Sequence, residues 1–306
     1  MTQRFIQLSD PHLSTLEGVQ PSRLLNKRLL GYLSWRRKRR FEHRAEVLDA
    51  LLADIADLEL DQVLVTGDLT HIGLPSECRQ VRDWLPRLGN PRQVCLVPGN
   101  HDACVVAPWE DTQGLWEDYM ASDEERPAGN PFPSLRVRGD LAFIGLSTAC
   151  PMPPLMATGR VDETQLQALP ALLDRCREQG LFRVLHLHHS PVPGREKWRK
   201  RLVNAGAVAD LVARHGAELV LHGHGHRTRH DSLPGRDGEV PVLAVPSASA
   251  LGLHGADVAA FQHYRVDRAE KGWTLTVRSR QYDREAGRFV DGERQTLDLH
   301  RPRVEP

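Results

Sequence analysis

The sequence has no CxxC pair, no long apolar run, no excess charge of either sign and very little lysine. Its five cysteines (Cys78, Cys95, Cys104, Cys150 and Cys176) are an odd number and widely spread. This argues against a disulfide framework and a thiolate zinc site, so no disulfide partners are expected, and it fits a reducing compartment. No apolar stretch approaches the ~18 residues that a membrane span needs. The first ten residues lack the apolar core of a signal peptide and read directly as a strand, so the expected location is cytoplasmic. Forty basic and forty acidic residues cancel, which excludes a globally basic nucleic-acid coat but leaves local patches open. Five lysines stand against 35 arginines, a bias that hints at a GC-rich, bacterial genome.

What is present is an ordinary soluble mix, 40% hydrophobic and 26% charged, in 306 residues. A chain of this length buries roughly three quarters of its unfolded surface and needs no disulfide or structural metal to stay folded. No linker or repeat divides it, so residues 1–306 read as a single domain. Short apolar runs at 4–9, 62–66, 93–97, 141–146, 183–188 and 218–222 predict buried strands, with a further strand at 135–137. Helical spacing is expected at 41–58, 76–88, 162–179 and 202–215, with Asp162 as an N-cap. Residues 103–133 are loop-rich, with one helix expected near 109–120. From about 240 to 290 the pattern changes to strands without helices, at 242–246, 261–266 and 273–279. Continuous apolar strands alternating with helices predict an α/β fold of two packed sheets, with any chemistry at the strand ends.

Histidine is the abundant chemical residue, at fifteen copies. Four clusters follow predicted strands: Asp10-Pro-His12, Gly67-Asp68, Gly99-Asn100-His101-Asp102, and His188-His189 together with His222-Gly-His224-Gly-His226. Each is weak alone, since a strand-terminal Asp is more often a helix cap. In the last run, two imidazoles separated by one glycine would point the same way from an extended segment. Taken together, the clusters would gather carboxylates, imidazoles and an amide at one sheet edge. Burying unpaired charges there would cost several kcal/mol each without a cation. The set is too large for one tetrahedral ion and sufficient for two ions sharing a carboxylate. Donors limited to N and O favour Mn, Fe, Zn or Co.

The order DxH, GD, GNHD, HHSP, GHGH resembles the calcineurin-like metallophosphoesterase superfamily over residues 4–226. The resemblance implies a four-layer α/β/β/α sandwich of two mixed β-sheets flanked by helices. It implies a first divalent metal on Asp10, His12, Asp68 and His226, and a second on Asp68, Asn100, His188 and His224, with Asp68 bridging. His188 is favoured over His189 because the family's ligand is the first histidine of that element. His186 and His222 are expected to pack within strands. His101 would face the substrate and stabilise or protonate the leaving oxygen, and Asp102 would either orient His101 or brace the backbone. The implied reaction is attack on a phosphate ester by hydroxide bridging two cations about 3.5–4 Å apart.

Departures from the patterns of related branches narrow this expectation. Protein serine/threonine phosphatases carry an Arg shortly after GD and end GNHE; this chain reads Gly67-Asp68-Leu69-Thr70-His71 and GNHD. Purple acid phosphatases place Tyr where His71 stands, lipid A pathway pyrophosphohydrolases place Arg where His101 stands, and the double-strand-break nucleases are longer and usually carry HQ at His188-His189. The remaining similarity is to bacterial phosphodiesterases that cleave cyclic nucleotides or glycerophosphodiesters. A non-catalytic scaffold and a nucleic-acid-binding module are the weaker alternatives.

One segment suits a small soluble substrate poorly. Between Glu17 and Glu42 lie eight basic residues and no acid, interleaved with leucines, Tyr32 and Trp35. This insertion, at about 18–41, reads as a short amphipathic helix. A second basic run with a tryptophan, Arg195-Glu-Lys-Trp-Arg-Lys-Arg201, follows the HHSP element. Both are expected to flank the active site. They are either solvated helix faces with a core Trp each, or a surface for a polyanionic substrate or for anionic lipid at the inner membrane. The latter would make the protein a membrane-surface hydrolase of a lipid-linked phosphodiester or diphosphate.

Overall fold

The computed structural model describes residues 2–124 and 131–300. Among these residues, twelve strands form two six-stranded sheets. In the first, β1 (Thr2–Leu8), β2 (Gln62–Val65) and β3 (Val94–Leu96) run parallel. The second is built from β4 (Ser134–Arg138), β5 (Leu141–Gly145), β6 (Phe182–His186), β7 (Leu219–His222), β8 (Arg229–Gly235) and β9 (Gly238–Ala244). Its order is β4-β5-β6-β7-β9-β8, with β5, β6, β7 and β9 parallel. The antiparallel strands β10 (Ala260–Ala269), β11 (Gly272–Asp283) and β12 (Arg288–His300) complete the first sheet beside β1. The helices are α1 (Arg28–Ser34), α2 (Arg40–Glu42), α3 (Ala45–Ile55), α4 (Pro75–Leu88), α5 (Glu163–Glu178) and α6 (Ala205–His215).

Strand alternation decides which layer each side chain joins. Phe5 and Leu64 face the space between the sheets, where they meet Phe143, Phe182 and Tyr264. The rings of Phe5 and Tyr264 stack at 4.6 Å, and Phe143 meets Phe5 edge-on at 5.2 Å. Ile6, Leu8, Val63 and Val65 face outward and pack with Val47, Leu51, Val81 and Leu85 of α3 and α4. Leu185 and Val220 do the same with Leu169, Leu173, Val208 and Val212 of α5 and α6. The result is the expected four-layer α/β/β/α sandwich of two mixed sheets flanked by helices.

The apolar runs became strands and Asp162 caps α5, its carboxylate accepting from the Gln165 amide at 2.9 Å. The strands missed by periodicity, β8 and β12, are sheet edges. Pro234 and the charged residues Arg288, Asp291, Glu293 and Arg294 give them edge chemistry without an apolar signature. In the loop-rich stretch the expected helix is a 3₁₀ turn, Gln113–Tyr119, and residues 125–130 lie outside the described residues.

The basic insertion is not one amphipathic helix. It passes through a 3₁₀ turn (Pro21–Leu24), α1, a π-helical turn (Trp35–Arg39) and α2. Trp35 is buried with Leu24, Ile72 and Leu74. Arg28 is buried too, donating to the carbonyls of Ile72 (3.0 Å) and Gly73 (2.5 Å). The segment is therefore pinned to the loop that follows Asp68.

His186, at the end of β6, is fully buried and serves packing, as expected of a strand histidine. Burial, with Arg136 nearby, lowers its pKa to about 3 against an ordinary 6.5. Above pH 6.5 the ring is neutral folded or unfolded and contributes no pH dependence. Below it the unfolded chain takes up a proton that the native state refuses, so stability is lost as pH falls from 6.5 towards 3. Urea unfolding at pH 7, 6 and 5 should show His186→Leu with a shallower loss than the wild type, by up to about 1.4 kcal/mol per pH unit. Parallel profiles for the two proteins would contradict this.

Candidate metal centre

The C-terminal ends of parallel strands from both sheets meet at one edge. Asp10 follows β1, Asp68 follows β2, and Asn100 and His101 follow β3, while His188 leaves β6 and His224 and His226 follow β7. Their donor atoms form groups, each within 4.8 Å: Asp10, His12 and His226; Asp10, Asp68 and His188; His12, Asp68 and His101; and His188, His189 and His224. His226 Nε2 lies 3.1 Å from Asp10 Oδ1, and His188 Nε2 lies 3.2 Å from Asp68 Oδ2. Asn100 is buried beside them.

Backbone carbonyls set the imidazole orientation. His12 Nδ1 donates to the Thr70 carbonyl at 2.8 Å and His188 Nδ1 to the Thr66 carbonyl at 2.7 Å, which turns each Nε2 lone pair into the cluster. Asp10 Oδ2 is taken by the Ser9 hydroxyl (2.6 Å) and the His224 amide (3.0 Å). Asp68 Oδ1 accepts from the His101 amide at 2.8 Å. Left over, buried and without a hydrogen-bond partner, are Asp10 Oδ1, Asn100 Oδ1, His188 Nε2 and His224 Nε2. Each is an electron-pair donor, and orphaned buried donors of one kind at one place fit a cation. The all-N,O set suits a divalent first-row metal.

The backbone is strained at the same residues. Asp10, His12, Asp68, His224 and His226 all adopt left-handed conformations, with φ between 40° and 64°. The glycine-separated histidines are thus not on one face of an extended segment, as the sequence pattern implied. They sit in a turn that sends His224 towards His188 and His226 towards Asp10 and His12. Two glycines make room. A Cβ on Gly67, itself at φ 95°, would fall 2.6 Å from His188 Nδ1, and one on Gly99 would collide with Asp68 Oδ1.

Electrostatics favour lone pairs over protons at most of these rings. Burial, then His43 and His101, lowers the His12 pKa well below its ordinary value, and burial with His189 and His188 does the same to His224. Both are held neutral, the form that binds metal. Burial would raise the Asp68 carboxyl, yet His188 and His101 outweigh it and hold it well below the usual range. Burial also opposes charge on His188, but Asp68 pushes it up to about 9. The facing Nε2 and Oδ2 of this pair demand positive charge between them, from a proton or a metal.

His101 donates through Nδ1 to the His71 carbonyl (2.6 Å), leaving Nε2 3.9 Å from Asp68 Oδ2. Among the described residues no hydrogen bond joins the His101 ring to the Asp102 carboxylate. That carboxylate accepts from the amides of Gly99 (2.9 Å), Leu69 (3.3 Å) and Thr70 (2.9 Å), so it braces the two loops that carry Asp68 and Asn100. His189 is spent, with Nδ1 on the Thr148 hydroxyl (2.7 Å) and Nε2 on the Ala157 carbonyl (3.2 Å). His222 stays in β7, as expected.

Sequence reasoning missed three members of the site. His43 lies 4.5 Å ring to ring from His12 and reaches the Ser249 hydroxyl at 2.9 Å. His71 stacks on His12 at 5.2 Å, its loop tied down by Glu77 through the His71 and Leu74 amides. Arg39, the last residue of the π-helical turn, brings Nη1 to 3.1 Å from His101 Nδ1. That nitrogen already donates to His71, so Arg39 finds no acceptor there. Among the described residues it makes no ion pair. Only His71 carried a local signal, three residues after Asp68.

Comparison with known proteins agrees with this construction. A family model, the calcineurin-like phosphoesterase, matches residues 3–228. A protein described as a probable cyclic nucleotide phosphodiesterase, from Vesicomyosocius okutanii subsp. Calyptogena okutanii (strain HA), is 22% identical over 224 residues, 72% of this chain and 83% of that protein. The fold is similar to a dimetal phosphatase from Danio rerio, with a TM-score of 0.53 at 16% identity over 97% of this chain and 99% of the other. It is similar also to the NAD nucleotidase of Haemophilus influenzae, with a TM-score of 0.51 at 14% identity over 96% of this chain and 54% of the other. With this match over most of its length, the chain belongs to the calcineurin-like phosphoesterase family and is a metal-dependent phosphoric ester hydrolase.

Proposed function

We propose that the chain is a phosphodiesterase whose first cation is held by Asp10, His12, Asp68 and His226, and whose second is held by Asp68, Asn100, His188 and His224. The observation that carries this reading is the set of four buried donors that make no hydrogen bond, Asp10 Oδ1, Asn100 Oδ1, His188 Nε2 and His224 Nε2, on strand ends from both sheets. When bound, two divalent ions supply Lewis acidity to the phosphate oxygens and a nucleophile from water at neutral pH.

The chain's own groups position the ester and handle its proton. The His71 carbonyl fixes the His101 ring with Nε2 towards Asp68, where the leaving oxygen would depart. Burial, then Arg39, lowers His101 to about 4, so the ring is neutral at pH 7. An incoming phosphate offsets the Arg39 charge, and that favours a proton on Nε2 for transfer to the leaving group. Arg39, a cation without an acidic partner, supplies an anchor for the phosphate. The cyclic nucleotide in the relative's description is the first substrate class to assay. A lipid-linked phosphodiester or diphosphate is the second, favoured by the exposed leucines beside the site.

Manganese-loaded protein should hydrolyse bis-p-nitrophenyl phosphate in preference to the monoester. Asp68→Ala should lose bound metal, measured by elemental analysis, together with activity. His101→Ala should keep both ions and lose about 10²–10⁴-fold in kcat. Equal metal loss in the two variants would refute this division of roles.

Arg39→Ala should keep both metals and lower kcat/KM on the diester about 10- to 100-fold, with part restored in Arg39→Lys. An unchanged kcat/KM would remove Arg39 from the site.

A further inference from the structure

The outer side of the basic insertion has no partner within the described residues. Leu25, Leu29, Leu30 and Leu33 are 85, 46, 45 and 36% exposed, although the opposite side of the same segment buries Leu24 and Trp35. Leu29 and Leu33 stand four apart on α1, one above the other, and Phe41, in α2 beyond the π-helical turn, is exposed as well. The second basic run adjoins this face. Lys27 Nζ donates to the Met156 carbonyl (3.2 Å), and the Ala157 amide donates to the Arg199 carbonyl (2.8 Å). Leu155 and Trp198, 70 and 60% exposed, line one hollow with Lys197 and Lys200. Trp198 is thus no core residue, whereas Trp35 is.

The charge on this face is of one sign. Arg36, Arg37, Lys38, Lys197 and Lys200 make no ion pair among the described residues, whereas Arg195 and Glu196 in the same run are paired with Asp231 and Arg229. Arg40 and Arg199 lie over the rings of Phe41 and Trp198 at 4.5 and 4.9 Å. Leucines flanked by uncompensated cations match the acyl–headgroup boundary of an anionic bilayer, with the apolar side chains inserted and the cations on lipid phosphates. A second copy fits badly, because two-fold pairing would set cation against cation. The exposed rings of this face, Phe41 and Trp198, each carry an arginine over one side, so a nucleic acid would meet leucines and covered rings where it needs a free stacking platform.

We infer that this face docks on an anionic lipid bilayer, an inference that goes beyond the phosphodiesterase reading and does not require it. The face borders the metal centre from two sides: Arg39 ends the π-helical turn against His101, and Arg199 is joined through Ala157 to His189, whose ring lies 4.3 Å from that of His224. Docking would therefore hold the mouth of the centre at the headgroups.

The full chain is sedimented with phosphatidylcholine vesicles and with mixed phosphatidylcholine–phosphatidylglycerol vesicles. At least about tenfold stronger binding to the mixed vesicles is expected. The double variant Leu29→Glu, Leu33→Glu should lose that binding while keeping its circular dichroism and the wild-type rate on bis-p-nitrophenyl phosphate. Equal binding to both vesicle types, or binding undiminished in the double variant, overturns the inference. So does a dimer that the double variant dissolves without losing vesicle binding, or an oligonucleotide affinity that matches the vesicle affinity and ignores the leucines. Selective vesicle binding by a wild-type protein that hydrolyses no diester would refute the phosphodiesterase reading and leave docking intact.

Discussion

The convergence of acids and imidazoles at a buried strand edge, with four donor atoms left unsatisfied, is the constraint on which the rest of this structure depends. Left alone, such a cluster opposes folding, because each desolvated polar atom without a partner costs about 1–3 kcal/mol. The five left-handed residues add about 1–3 kcal/mol each. Strain and desolvation gathered on one set of side chains make sense where a cation compensates both. The remainder of the fold bears the cost until then: the apolar core on either side of each sheet holds an unfavourable edge in place.

The centre lies across both sheets, so sheet packing becomes a matter of chemistry. Asp10, Asp68 and Asn100 come from one sheet, and His188, His224 and His226 from the other. Phe143 of the second sheet meets Phe5 of the first edge-on at 5.2 Å, inside the apolar layer that joins the two. Polar bonds then fix their relation: His188 Nδ1 to the Thr66 carbonyl, the His224 amide to Asp10 Oδ2, and Gln7 Nε2 to the His222 carbonyl at 2.9 Å. Asp102 and Glu77 perform the same service for the loops after β2 and β3, each carboxylate gathering several backbone amides. Burial pushes the Asp102 carboxyl up to about 7, so its amide donors work against the same desolvation as the metal-facing groups.

The basic insertion links this interior chemistry to the surface. One side is core: Trp35 fills the space over Ile72 and Leu74, and Arg28 satisfies two loop carbonyls. The other side is leucine and unpaired cation. The π-helical turn between them matters, because it changes the helical phase where Arg39 reaches His101. A regular helix of the same composition would have a different phase at that position. Segment, site and surface are thus coupled through residues that the family motifs do not include, Arg28, Trp35 and Arg39 among them.

The strands and their apolar faces were readable because buried parallel strands leave a continuous hydrophobic signature, and the motif residues were readable because they directly follow those strands. Edge strands β8 and β12 were not, since an edge tolerates charge and proline and so carries no such signature. The order of acids, histidines and one asparagine along the chain determined by itself that a nitrogen–oxygen metal cluster could form and to which family it belongs. Only the tertiary structure decided that His189 is consumed by hydrogen bonds, that Asp102 braces backbone amides and not the His101 ring, and that His43 and Arg39 stand at the centre. The physical reason is the same in each case: these roles depend on contacts between segments far apart in the chain, whose meeting is set by sheet packing and loop geometry, and no local pattern encodes them.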